Sequence, residues 1–521
     1  MFKKILITDS ISFKKSGYKK IISIEQSNVN LVQYFMTSHK KARKINKKIL
    51  EDNGNSELLL SLLKLSDRYI FECVRILEML EEHTDDKVII DIDTKYNKLL
   101  SYIARLEKIN LNNVNILNRN LSIKKYYSKY FFGWNLMLLN SFFIKKTDDK
   151  NIFCIYNDKI SYNFARPYKE DSLVYASFSS SLSLKPQNYI VEEYIKYKFI
   201  VPIVIFKGFK NILKNKTFIK KLRVDNELKR IFISNLFALE TKNMLYLSLK
   251  IKYKKLENLI GLFDADSTID YATKNLNSIG VQTICIPHGI NFKYKANYIS
   301  YGTNIYTFWS KDHLKRMNES TIYSSKQEKL MLTGNIVYTE TMKHIQKNKK
   351  TKKILVVGEY FSSDIFYGSP FNYQSAKLFF DTLNSFMYKH RDCEITIRTR
   401  INDKYTLLAK KYLSKRIKLS SPESSLIEEI NEHDLIISVF SNALHEALLL
   451  NKKVLQVNLL GIENYRNLAQ DGLVHYADTK ELLEAKLEDW YMDKLVELNY
   501  GKHLEKYCNS GIFSKIKLES L

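Results

Sequence analysis

A histidine followed by a glycine closes an apolar run in this chain. The run is Val281 to Ile286 (VQTICI), and the turn behind it reads Pro287-His288-Gly289. An imidazole with an ordinary pKa near ~6.5 accepts a proton at neutral pH, so His288 has the chemistry of a general base. Gly289 has no Cβ and lets a substrate or a neighbouring backbone come close. The same residues also suit a plain hydrogen-bonded turn. A second set lies in the segment Ser438 to Ala447 (SVFSNALHEA). Ser441 and Asn442 bring a hydroxyl and an amide to the start of a helix, where unpaired amides and the helix dipole favour a phosphate. Glu446, one turn later, is placed to accept hydrogen bonds from a ribose diol. The alternative is that Ser441 and Asn442 only cap the helix and Glu446 is an ordinary first-turn acid.

Two further turns offer binding groups. Thr333-Gly334-Asn335 is a tight turn behind Lys329 to Leu332. Arg398 and Arg400 end the run EITIRTR, and a guanidinium grips a phosphate or an acidic sugar with two parallel hydrogen bonds. Standing as solvated strand-end charges is the other option for them. Asp264-Ala265-Asp266 has the spacing of a carboxylate pair that bridges Mg²⁺ or Mn²⁺ to a diphosphate, although Asp266 or Ser267 equally caps the next helix. There is no Walker A loop, dinucleotide glycine fingerprint or His-Glu-x-x-His pattern. The five cysteines (Cys73, Cys154, Cys285, Cys393, Cys508) show no short spacing, which excludes a zinc knuckle or a disulfide framework.

Elements that alternate must hold these residues in place. The runs KILVV (353–357), EITIR (394–398), DLIISVF (434–440) and KVLQV (453–457) are apolar enough to be strands covered on both faces. Between them, helical periodicity spans 373–389, 404–413 and 443–450. Ser425 and the group Asp478 to Glu481 carry capping signatures. Upstream, LIGLF (259–263), VQTICI (281–286) and NIYTFW (304–309) repeat the alternation, with helices over 268–276 and 311–317. The expectation is an α/β protein of two doubly wound, Rossmann-like domains with a helical, Lys-rich region over about 31–125. The boundaries follow as 1–345, 346–490 and a C-terminal tail 491–521. A polar, basic linker, QKNKKTKK, opens the second domain. Ligands of such sheets bind beyond the carboxyl ends of the strands, where the His-Gly turn and the Ser441 segment fall.

Composition excludes several classes. Of 521 residues, 45% are apolar and 26% charged, which rules out a disordered chain. The net charge is +26, and it is uneven. Residues 346–521 hold 26 basic and 23 acidic residues, a net of +3, which leaves +23 in residues 1–345. A basic half attracts an anionic partner, here an anionic membrane surface or a phosphorylated acceptor. Nucleic acid is not expected, because the charge is mostly Lys without interleaved aromatic and Arg platforms. The Ile5-Leu6-Ile7 run is too short for a signal-peptide core, and no segment reaches ~20 apolar residues. Two shorter runs, Phe131 to Phe143 and Tyr197 to Phe206, read as core, or as aromatic segments resting on a membrane interface. The expected location is cytoplasmic, peripheral on the inner face of the membrane.

Together these motifs, over about residues 255–480, resemble the GT-B superfamily of glycosyltransferases, in particular bacterial enzymes of capsule, O-antigen and other surface-polysaccharide assembly and the CDP-glycerol glycerophosphotransferase-like group. The resemblance implies an enzyme that needs no metal and no cofactor beyond a nucleotide-sugar co-substrate. Its acceptor would be a glycan or lipid-linked molecule. By the same likeness His288 is the catalytic base with Gly289 on the acceptor side, and Arg398, Arg400, Gly334, Ser441, Asn442 and Glu446 hold the donor. Arg398-Thr399-Arg400 stands where glycerophosphotransferases show a His-Pro pair, which favours sugar transfer. UDP-sugar 2-epimerases share the fold and a His-Glu-Ala-like helix and stay open as an alternative. So does a non-catalytic membrane- or nucleic-acid-binding protein on a degenerate scaffold of this kind.

Overall fold

Apolar runs of four or five residues separated by amphipathic helices must be covered on both faces, and parallel strands do this. The computed structural model describes residues 4–8, 20–23, 30–54, 56–81, 87–91, 97–109, 111, 114–116, 153–156, 173–176, 202–261, 269–287, 302–320, 329–334, 341, 344–345, 351–358, 373–398, 409–420, 424–439, 441–459, 467–496 and 498. Every strand pairing among them is parallel, in three sheets.

The first sheet adds strands to the region over about 31–125 expected to be helical, while its first strand contains the Ile5-Leu6-Ile7 run. It holds β1 (Lys4–Thr8), β2 (Lys20–Ser23), β3 (Lys87–Asp91) and β4 (Val114–Ile116) in the order β2-β1-β3-β4. Helices α1 (Asn30–Asn53), α2 (Glu57–Glu81) and α3 (Asn97–Leu106) lie between its strands in sequence. The long α1 and α2 dominate the periodicity there, and three- to five-residue strands beside them leave only a faint signal.

The second sheet runs β10-β9-β8-β7-β5-β6. Its strands are β5 (Phe153–Tyr156), β6 (Leu173–Ala176), β7 (Asn258–Gly261), β8 (Gln282–Cys285), β9 (Ile305–Phe308) and β10 (Lys329–Leu332). The helices are α4 (Pro202–Lys221), α5 (Asn226–Lys252), α6 (Ile269–Asn277) and α7 (Lys311–Ser320). Helix α5 carries apolar residues around its whole circumference, which suits a helix enclosed by others. It packs against α2, α3, α4 and α6. One buried cluster therefore joins Leu62 and Phe71 of α2 to Phe232 and Leu236 of α5 and to Leu259 of β7.

The third sheet runs β13-β12-β11-β14-β15-β16. Its strands are β11 (Lys353–Val357), β12 (Glu394–Arg398), β13 (Lys418–Ser420), β14 (Leu435–Ser438), β15 (Lys453–Val457) and β16 (His475–Ala477). Helices α8 (Tyr373–Lys389), α9 (Leu426–Glu432), α10 (Ala443–Leu449), α11 (Asn467–Gln470) and α12 (Lys480–Tyr491) flank it. Successive strand residues point to opposite faces. Ile354 and Val356 join a core with Phe379, Phe380 and Leu383 of α8 and Leu483 and Trp490 of α12. Leu355 and Val357 join the opposite core with Leu444 and Leu448 of α10. The Ser425 cap read from the sequence is made, its Oγ accepting from the Glu428 amide at 3.5 Å; at α12 the cap is Thr479, one residue after the expected Asp478, with Oγ1 accepting from the Leu482 amide at 3.2 Å. Residues 404–408, 497 and 499–521 lie outside the described residues, as does the run 131–143. Among the described residues no helix is long and apolar enough to cross a membrane.

Two measurements test this packing. An ideal Cβ on Gly302 would lie 1.9 Å from the Asp270 carbonyl oxygen and 2.5 Å from Thr273 Oγ1, both of α6. Backbone cannot retreat as a flexible side chain does, so Gly302→Ala should lower stability by about 3 kcal/mol, read as a shifted urea midpoint at unchanged slope. On β16, burial first, then repulsion from Lys486 and Lys453, pushes His475 from 6.5 down to about 4. The folded chain keeps it neutral where the unfolded chain binds a proton, so this contribution is full above pH about 6.5 and is lost as pH falls toward about 4. Burial lowers His433 too, with the same sign. His475→Gln should flatten that acid limb in thermal unfolding measured against pH.

Candidate functional site

In the third sheet the chain leaves β11 toward β12 on one side and returns to β14 on the other. Counted within the domain, the order is 3-2-1-4-5-6, and the switch point falls between β11 and β14. Their register pairs Ile354 with Leu435, Leu355 with Ile436 and Val356 with Ile437. At the carboxyl end Ser438 Oγ donates to the Val357 carbonyl at 2.9 Å, and Gln456 Nε2 of β15 donates to the Val439 carbonyl at 2.6 Å. Both side chains are buried. They hold the strand end from which the Ser441 segment departs.

That segment enters α10 with Asn442 at the cap, in helical conformation and without a side-chain cap bond. Ser441 Oγ accepts from the Ala443 amide at 3.3 Å, and the Glu446 amide donates to the Asn442 carbonyl at 3.1 Å. Every residue from 441 to 450 is buried except Ser441, Asn442 and Glu446. Asn442 and Glu446 stand four apart and share one helix face. The three residues selected from sequence are therefore the three accessible ones, grouped at the carboxyl edge of the switch point.

Arg398 is placed differently. Its Nη1 donates to Glu429 Oε2 and to Ser424 Oγ, both at 2.8 Å, and its Nη2 to the Ser424 carbonyl at 2.7 Å. Ser424 Oγ also donates to Glu429 Oε1. The Arg398 and Glu429 side chains are only 15% and 11% exposed. The charge is spent on tying β12 to the start of α9 and is not presented to the crevice. Glu429 lies 31 residues further along the chain, so no local pattern announces the pair.

In the second sheet β8 delivers Ile286 and Pro287, both buried, with the Ile286 amide bonded to the Gly261 carbonyl at 2.8 Å. His288, Gly289, Arg400, Asn335 and the Asp264 to Asp266 motif lie outside the described residues. Gly334 closes β10 with φ of +71°, a conformation that an L side chain adopts only with strain. The Thr333 amide beside it donates to the Phe308 carbonyl at 3.0 Å. Gly334 thus ends the edge strand of the second sheet, two strands from β8. Among the described residues no group of three or more His, Cys, Asp and Glu could hold a metal ion.

Trp309 is a residue that motif reading passed over. It follows β9, and it is buried in the same cluster as Leu355, Val357, Ala443 and Leu444. Its amide donates to His313 Nδ1 at 3.2 Å, and the two rings meet edge to face at 5.8 Å. The carboxyl end of the second sheet therefore joins one core of the third sheet. A tryptophan closing the strand NIYTFW was the available signal.

No protein-family model matches the chain, and no curated protein sequence does. Some solved structures are similar to it at low values. UDP-GlcNAc 2-epimerase from Neisseria meningitidis, bound to UDP-GlcNAc, is 13% identical over 72% of this chain and 99% of its own, with a TM-score of 0.43. The S. aureus MnaA–UDP structure is 13% identical over 70% and 94%, at 0.42. The wall teichoic acid polymerase TagF is 10% identical over 74% and 92%, at 0.40. At such values the fold assignment stands on the strand orders themselves: α/β, with two Rossmann-like parallel sheets.

The Arg398 arrangement makes a prediction. Glu429→Gln leaves a nearly buried cation without its counter-ion and should lower stability by about 3 kcal/mol. Arg398→Met combined with Glu429→Leu should cost much less than the two single changes added, in a double-mutant cycle of urea unfolding.

Proposed function

We propose that the chain is a glycosyltransferase that moves a sugar from a nucleotide-sugar donor to a cell-surface glycan or lipid-linked acceptor at an anionic membrane surface. The observation that carries this reading is the trio Ser441, Asn442 and Glu446, left accessible at a switch point where doubly wound sheets take nucleotides. The first amides of α10 and the Ser441 hydroxyl would meet the donor phosphate, and the Glu446 carboxylate the ribose diol. Arg398 then serves as a positioning residue for α9. Arg400, two residues beyond β12, would be the cation facing the leaving phosphate.

In the transfer step an imidazole nitrogen of His288 takes the proton of the acceptor hydroxyl. The acceptor oxygen bonds to the anomeric carbon as the bond from that carbon to the donor phosphate oxygen breaks, and the phosphate leaves with the electron pair. A base whose pKa lies near the working pH contributes on the order of 10²–10⁴ to the rate. Preorganised amides and cations would stabilise the leaving charge without a metal ion.

A thermal-shift screen against UDP, GDP, CMP and CDP-glycerol identifies the donor class. A nucleotide at about 100 times its Kd should stabilise the fold by about 2.7 kcal/mol. Glu446→Ala should weaken that binding roughly tenfold or more, the loss expected of one charged hydrogen bond. His288→Ala should leave the nucleotide shift intact and abolish transfer. Full transfer activity in His288→Ala, or an unchanged shift in Glu446→Ala, removes those assignments.

A further inference from the structure

Helix α4 departs from the usual arrangement of a helix on a protein surface on both of its sides. On its inner side Asn211 and Asn215 donate to the carboxylate of Glu240 of α5, at 3.5 and 3.3 Å. Asn243 Nδ2 and the Tyr271 hydroxyl donate to the same carboxylate at 3.1 and 2.9 Å. Glu240 is fully buried, and burial raises its pKa against the pull of these four donors. Burial, then the charge of Glu240, pushes the Tyr271 hydroxyl up to about 12. Val204, Ile212 and Ile219 are buried beside this network, and Gly208 brings α4 so close that an ideal Cβ there would lie 2.5 Å from Met244 Sδ. The rotation of α4 about its axis is thereby set.

Its outer side then presents apolar residues to water. Phe206 is 70% exposed, Leu213 67% and Phe209 41%, spaced as i, i+7 and i+3 along one stripe. Six lysines (Lys207, Lys210, Lys214, Lys216, Lys220, Lys221) occupy the same helix, which contains no acidic residue. All six are exposed, and among the described residues none has an ion-pair partner. At about 100° per residue, Lys207, Lys210 and Lys214 fall on one flank of the stripe and Lys216 on the other.

We propose that this face of α4 is a docking surface for an anionic lipid bilayer. Phe206 and Leu213 enter the boundary between headgroups and acyl chains while the lysines meet lipid phosphates, so that α4 lies in the plane of the interface. Charge complementarity selects the partner. The stripe is aliphatic as well as aromatic, and α4 carries Lys without Arg, whereas single-stranded RNA is held by aromatic platforms with Arg. The surface gives a place to the membrane association contained in the proposed function. Its test needs no transfer reaction, so either reading can fail without the other.

The full chain is sedimented with vesicles of phosphatidylcholine alone and of phosphatidylcholine mixed equally with phosphatidylglycerol. Binding should require the anionic lipid and weaken as salt rises. Phe206→Ser with Leu213→Ser should lower partitioning about tenfold. Lys207→Gln, Lys210→Gln and Lys214→Gln together should lower it on the order of a hundredfold. All five side chains are exposed, so the thermal midpoint should not move, and that measurement certifies the variants as folded. Equal binding to both vesicle types, binding unchanged by either set of substitutions, or capture of a single-stranded RNA in place of vesicles overturns the proposal.

Discussion

The pairing of β11 with β14 is the constraint on which the rest depends. Strands that run parallel but lead away in opposite directions cannot close over the gap between their carboxyl ends, so a crevice opens there. Its walls must be rigid to hold a ligand, and two buried hydrogen bonds supply this. Ser438 reaches across to the Val357 carbonyl, and Gln456 holds the Val439 carbonyl. A buried donor left without a partner costs about 1–3 kcal/mol, so these two side chains are tied to that geometry. The turn that carries Ser441 and Asn442 inherits its direction from them.

Apolar burial decides the stability around that crevice. A fully buried Leu, Ile or Phe contributes about 1.5–3 kcal/mol. Strand β11 sends Ile354 and Val356 into one core and Leu355 and Val357 into the other. A half-exposed pair such as Lys389 with Glu488 adds ~1 kcal/mol at most. Arg398 with Glu429 is a different case, because its shielded charges and shared Ser424 make breaking the pair far more costly than forming it was favourable. Trp309 extends the apolar logic between the sheets, joining the end of β9 to the buried cluster that contains Ala443 and Leu444. Packing places the helix that holds Glu446, and polar groups only refine its position.

What the sequence disclosed follows the range of the forces involved. Helix α8 runs from Tyr373 to Lys389 and strand β12 from Glu394 to Arg398, as their periodicities predict, because a local pattern specifies a local element. The exposure of Ser441, Asn442 and Glu446 was also legible, since the only polar residues other than His445 in 441–450 must turn away from the core. The partner of Arg398 was not, because an ion pair across 31 residues is a product of the tertiary fold. Strands β3 and β4 were hidden beside two helices of 24 and 25 residues, whose periodicity fills any window laid over them. Helix α4 is a mixed case. Its opening run reads as core or as a segment resting on a membrane interface, and the two readings divide it: Val204 is buried while Phe206 is exposed.

That exposed stripe sharpens the meaning of the uneven charge. A net of +23 spread over 345 residues acts weakly at a distance, because charges beyond about 8 Å are screened at physiological ionic strength. Individual lysines elsewhere in this half also have carboxylate partners, as Lys41 has Glu78 and Lys47 has Glu51. What counts is density without opposition, and α4 places six lysines along ~30 Å of helix with no carboxylate among them. Attraction alone would be served equally well by lysines set among polar neighbours. Phe206 and Leu213 in water forgo the burial that most such side chains find, while two half-buried asparagines on the opposite side reach in to Glu240. Charge and apolar exposure on one helix face select the same kind of partner, one with phosphates at its surface and hydrocarbon beneath.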